Sequence, residues 1–100
     1  MMIKELASMI HQTAKDKGFW DEERNFGEMI ALMHTELSEA LEGDRNGIPE
    51  GEKGCVSEEF ADVIIRVLDT AHERGLDIEA AILKKMKYNE TREHKHGKKY

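Results

Sequence analysis

The chain has 100 residues, of which 39% are hydrophobic and 36% charged, and its net charge is −6. That length allows one small domain, read here as residues 1–100, with too little core to bury much of its own surface, so a partner subunit is expected. The sequence has no apolar run near the ~20 residues of a membrane span, no signal-peptide core at the N-terminus, and a single cysteine, Cys55, which excludes an intramolecular disulfide; a cytoplasmic protein that avoids membranes is expected.

The elements read as helices from end to end. Ile3, Leu6, Ile10 and Ala14 recur at helical spacing and predict an amphipathic helix that stops near Gly18. A short link with Phe19 and Trp20 follows, an aromatic pair of the kind that plugs a gap between helices. Asn25 with Glu28 three residues later resembles a capping box. From there Phe26, Met29, Ile30, Met33, Leu37, Ala40 and Leu41 form the core stripe of a second helix ending at about Gly43. Residues 43–56 hold four glycines and the only proline, which predicts a flexible, exposed loop. Ser57 is the expected N-cap of a third helix, and Gly75 its stop. Asp77 caps a fourth, with Ile78, Ala81, Ile82 and Met86 inward, fading near Asn89. No segment alternates with period two, so no sheet is expected.

The third helix carries apolar residues at 60, 61, 63, 64, 65, 67, 68 and 71, a band too wide for one buried face. Four short helices do not enclose it, and the expected fold is an all-α four-helix bundle completed by homo-oligomerisation, as homodimer or homotetramer.

Charge is divided along the chain. Residues 84–100 carry seven Lys/Arg against Glu90 and Glu93, a charge of +5, which leaves −11 on the first 83 residues. So acidic a body argues against a stable nucleic-acid complex, because attraction to phosphate dominates that kind of affinity. The basic tail, about 90–100, is suited to close over an acidic site and hold phosphates.

Two acidic signatures, Glu36-x-x-Glu39 and Glu59-x-x-Asp62, lie inside the two most apolar helical stretches. Acids three apart on a helix share a face one turn apart, so each pair can aim two oxygens at one point. Asp62 interrupts Phe60-Ala61-Asp62-Val63-Ile64-Ile65, and Glu36 lies beside Met33, Leu37 and Ala40. Bare carboxylates facing a core need a cation or hydrogen-bond donors. Four together make an oxygen cage for a hard divalent ion, Mg²⁺ or Mn²⁺. The plain alternative is solvated helix surface, and for Asp62 an ion pair with Arg66 at i+4. On the fourth helix one stripe runs Ile78, Ile82, Lys85, Asn89, with Arg92 three residues on. A snorkelling lysine and an Asn cap explain it as well as phosphate ligands do.

These residues together resemble the MazG-like, all-α nucleoside triphosphate pyrophosphohydrolases. The resemblance rests on TELSEALE at 35–42, SEEFADVIIRVLD at 57–69, KMKYNETR at 85–92, HKHGKK at 94–99 and GFW at 18–20, roughly 18–99 in all. It implies hydrolysis of a nucleotide between its α- and β-phosphates, giving monophosphate and pyrophosphate, in control or cleaning of the nucleotide pool. It further implies that Glu36, Glu39, Glu59 and Asp62 hold Mg²⁺ and carry the catalysis, that Lys85, Asn89 and Arg92 hold phosphates, with Lys98 and Lys99 as weaker candidates, and that Trp20 faces the base. His34, His72, His94 and His96 show no ligand spacing. Two other readings stay open: a phosphoribosyl-ATP pyrophosphatase of the same superfamily, and a non-enzymatic helical dimerisation or regulatory module whose acids are structural.

Overall fold

Helices α1 (Ile3–Asp16), α2 (Phe26–Arg45), α3 (Val56–Glu73) and α4 (Ile78–Glu90) make up the computed structural model, which describes residues 2–92, 98 and 99. Among the described residues there is no strand, and no helix is long and apolar enough to cross a membrane.

The helix ends follow from local chemistry. Asn25 Oδ1 accepts from the Glu28 amide at 3.1 Å and Asp77 Oδ1 from the Ala80 amide at 2.9 Å, so both expected caps form. After α3, Gly75 takes φ +68°, the Leu76 amide reaches back to the Ala71 carbonyl at 2.9 Å, and the Gly75 amide to that of His72 at 3.1 Å. This pattern satisfies the last carbonyls and needs a left-handed residue, which glycine supplies without strain. Gly18 and Gly47 close α1 and α2 in the same way.

Two expectations fail here. Ser57 is not the cap of α3. The cap position is Cys55, without a side-chain bond, and acidic groups serve the first turn instead: Glu50 Oε1 accepts from the Ser57 amide and Glu58 Oε1 from the Gly54 amide, both at 3.4 Å. Gly43 does not end α2, which continues to Arg45. A Cβ at position 43 would collide with the carbonyl oxygen of Gly54, so this glycine lets the following loop fold back onto the helix, and Cys55 is buried where it does so.

α3 is the central element, with α2 along one side and α1 along another, while α4 rests mainly on α1. The apolar core is small: Met29, Ala40, Cys55, Leu68 and Ala71. The long α2 stripe splits, with Met29 and Ala40 buried, Ile30 and Met33 half-buried, and Phe26, Leu37 and Leu41 exposed. On α3, Phe60 and Ile64 are both more than half exposed. The inward face expected on α4 is not covered either. No residue of α4 is buried, and Met86 and Leu83 are 56% and 59% exposed, because no described residue covers that face.

Size tells the same story. The radius of gyration is 16.0 Å, against roughly 13 Å for a compact 100-residue domain. The accessible surface is 7917 Å², whereas a folded monomer of this mass exposes about 5,800 Å².

Candidate functional site

Glu59 and Asp62 lie one turn apart on α3, and Glu36 meets them from α2. One carboxylate oxygen from each of the three falls within 4.8 Å of the others. Glu36 and Glu59 are buried and Asp62 half-buried. Glu39 is exposed at the edge of this group, close enough to hydrogen-bond with both Glu36 and Glu59. The four acids singled out from the sequence are therefore neighbours, three inside and one at the rim.

Their protonation differs in a way the geometry explains. Burial, then hydrogen bonds with Glu39 and Glu36 and the charges of Glu39 and Asp62, push the Glu59 carboxyl up to about 7. Asp62 is raised by burial and by the charges of Glu36 and Glu58, against the pull of Arg66. At Glu36 burial also opposes ionisation, but the hydrogen bond and charge of Arg66, with bonds from Glu59 and Glu39, outweigh it and hold the group below 4.5. A crowded set of carboxylates thus shares too few protons and one guanidinium.

Arg66 does not form the simple i+4 pair with Asp62. Its Nε donates to Glu36 Oε1 at 3.0 Å, across to α2. That leaves Glu59 the least compensated member: its Oε2 is buried with no hydrogen-bond partner. Such an oxygen is costly to bury, and either a proton or a hard cation relieves it. The donor set fits a cation. All three groups are carboxylates, the hard oxygen donors that Mg²⁺ and Ca²⁺ take, and one oxygen from each lies within 4.8 Å of the others.

A cleft of about 520 Å³ runs beside the cluster between α1 and α3, with Glu36, Asp62 and Arg66 in its wall, and Leu6, Met9 and Phe19 opposite in character. An apolar cavity with a few convergent charged groups is the form small-molecule sites usually take.

Trp20 belongs to a second group of contacts. It does not line that cleft. Its Nε1 donates to both oxygens of Asp69, at 2.9 and 3.1 Å, and Arg24 covers its ring at 5.0 Å. Asp69 also faces His11 Nδ1 at 2.8 Å, while His11 Nε2 lies 3.0 Å from Glu73 Oε2 and its ring stacks on His72 at 4.6 Å. This buried clasp joins α1, the link and α3. Sequence reasoning passed over His11 and Asp69, although both interrupt apolar helical stripes as Asp62 does. It also passed over Phe19 as a separate candidate; Phe19, 62% exposed, borders the cleft.

Of the phosphate-binding candidates, Lys85 and Asn89 are on α4 and Arg92 lies just beyond its end. Lys85 Nζ and the Arg92 guanidinium lie 4.9 and 5.3 Å from the Tyr88 ring, and Asn89 Oδ1 is buried without a partner. No α4 residue lines the cleft. Lys98 and Lys99 are exposed, and His94 and His96 lie outside the described residues. Comparison of the chain with protein families, curated proteins and solved structures finds no match.

Proposed function

We propose that this chain is a divalent-metal-dependent pyrophosphohydrolase that cleaves nucleoside or deoxynucleoside triphosphates to monophosphate and pyrophosphate. The observation that carries the reading is Glu59, buried beside Glu36 and Asp62 with one oxygen unpartnered. The MazG-like pattern supplies the reaction. Glu36, Glu59 and Asp62 hold Mg²⁺, or Mn²⁺ in its place. When bound, the ion polarises a phosphoryl oxygen and makes water a better nucleophile. Glu39, exposed at the rim, accepts the proton of the attacking water in this reading. The cleft takes the nucleoside. Phe19, which borders the cleft, stacks on the base in this reading, while Trp20 bonds to Asp69. Lys85, Asn89 and Arg92 hold phosphates.

The same reading includes assembly. The chain exposes about 2,000 Å² more than a monomer of its mass should, so a symmetric dimer that covered this excess would bury about 4,000 Å² over both partners, within the range of obligate homodimers. A second copy packing on the uncovered faces of α3 and α4 accounts for it, giving a homodimer or a pair of dimers.

A structural reading has one observation in its favour, the Arg66–Glu36 bond, which already supplies a counter-charge. The two readings separate in one experiment. Nucleotides are incubated with Mg²⁺ and the products identified, while the melting temperature is followed with and without Mg²⁺. The enzyme reading expects pyrophosphate, loss of activity with EDTA, and stabilisation by Mg²⁺ through linkage. Orthophosphate as sole product, or no effect of Mg²⁺ on either measurement, overturns it.

A further inference from the structure

Arg66 has features that neither the carboxylate cluster nor the fold accounts for. Its guanidinium is attached to Glu36 by Nε alone, at 3.0 Å, although a carboxylate paired with arginine commonly takes two parallel bonds. No hydrogen bond engages its two terminal nitrogens among the described residues, and its side chain, 35% exposed, lies in the wall of the cleft. Glu36, by contrast, has only 10% of its side chain exposed and cannot turn to water for compensation. A guanidinium does not lose its charge at any pH a protein tolerates, so it can leave the cluster only by moving. Its long side chain and open side on the cleft leave room for that.

We propose that Arg66 is a built-in counter-cation: it holds Glu36 while the cluster is free of metal, yields Glu36 to an entering divalent ion, and then presents its guanidinium to an anionic group in the cleft. The inference rests on the reading of Glu36, Glu59 and Asp62 as a divalent-ion site. It makes Arg66 a competitor of the metal and an ally of the substrate, two effects of opposite sign that a purely structural arginine does not combine. No covalent change is involved. One ionic contact is exchanged for another, and the charge displaced from Glu36 stays in the cleft where phosphate oxygens would meet it.

The test titrates the full-length protein with Mn²⁺, without nucleotide, and reads free Mn²⁺ by electron paramagnetic resonance. Arg66→Gln should bind Mn²⁺ about tenfold more tightly than the native chain, because a like charge has been removed from beside the ion, while Arg66→Lys should stay near native. At saturating Mn²⁺, Arg66→Gln should then raise the nucleotide KM about tenfold or more, with a smaller change in kcat. If the native chain binds Mn²⁺ and Arg66→Gln binds equally or more weakly, the inference is wrong and the metal site stands. If Arg66→Gln binds and the native chain does not, Arg66 is the counter-cation and the metal-dependent activity proposed for the native chain is wrong. If neither binds, both ideas fail. Should Arg66→Gln not fold, the native protein decides alone: the Arg66 Nε–H nuclear resonance should show protection from exchange without metal and lose it on saturation with Mg²⁺. Protection that persists in saturating Mg²⁺ overturns the proposal.

Discussion

Asp69 and Glu59 are both on α3, both 7% exposed, and differ in almost everything else. Asp69 takes two contacts from the Trp20 indole, faces His11 at 2.8 Å and has Arg24 at 3.9 Å. Glu59 is surrounded by other carboxylates and has an oxygen with no partner. Burial is therefore the same observation in two regions with opposite meanings. Where donors converge on a buried acid, the acid clasps helices together. Where they do not, the protein is holding an electrostatic cost that a ligand can remove.

The comparison breaks if the two regions respond alike to mutation. The largest expected effect is on turnover. Glu36→Gln, Glu59→Gln and Asp62→Asn should each reduce pyrophosphate release by about a thousandfold, on the scale of losing a group that stabilises charge in the transition state. Their helical content should persist, and the metal-free Glu59→Gln protein should melt at a higher temperature because a crowded charge has gone. Near-native activity in all three would dissolve the distinction. Asp69→Ala should do the reverse. Removing one partner of a buried charged network costs about 3 kcal/mol, or more than ten degrees in melting temperature for a domain of this size. At temperatures where the variant stays folded, its Mn²⁺ affinity should be unchanged.

Much of this difference could not be read from residue types and spacing alone. The four helices were legible because helical periodicity, caps at Asn25 and Asp77, and stops at Gly18 and Gly75 all agree. The convergence of Glu36, Glu59 and Asp62 was legible because acids inside apolar stripes must face one another when the stripes pack. Partnering was not. Arg66 is four residues after Asp62, which suggests a local pair, yet it bonds across to Glu36 because α2 brings that acid within reach. His11 and Asp69 lie 58 residues apart, beyond any local rule. Trp20 and its acceptor Asp69 lie 49 residues apart, so spacing gave no sign that the indole N–H would bond to that acid.

A smaller effect sharpens the comparison at the aromatic pair. Phe19→Ala should weaken nucleotides unequally, changing the ranking among bases by about 1–3 kcal/mol if the ring stacks on them. Trp20→Ala, which takes both indole contacts away from Asp69, should lower the melting temperature and depress every substrate alike. Steady-state constants for four bases on both variants test this. An altered ranking with Trp20→Ala and an unchanged one with Phe19→Ala would return the base-facing role to Trp20.

The gentlest test is the dependence of metal-free stability on pH. Glu59 keeps its proton to about 7 in the folded chain, against an ordinary value of 4.5. Between those values the folded state binds more protons than the unfolded one, so stability should fall as pH rises from about 4.5 to 7 and then level off. Asp62, raised from 3.8, acts in the same direction. Glu36 and Glu50 are lowered from 4.5, so their contribution is present above 4.5 and lost as pH falls through their folded values. The two tendencies occupy separate windows and can be resolved. Melting curves of the native chain should decline above pH 4.5, and Glu59→Gln should remove most of that decline. Asp69→Asn, altered on the partnered side of α3, should keep it. Mg²⁺ takes the ionised carboxylate, so the stabilisation it gives should grow as pH passes 7. Parallel curves for the native chain and Glu59→Gln would mean that Glu59 holds no such proton, and the contrast with Asp69 would lose its electrostatic basis.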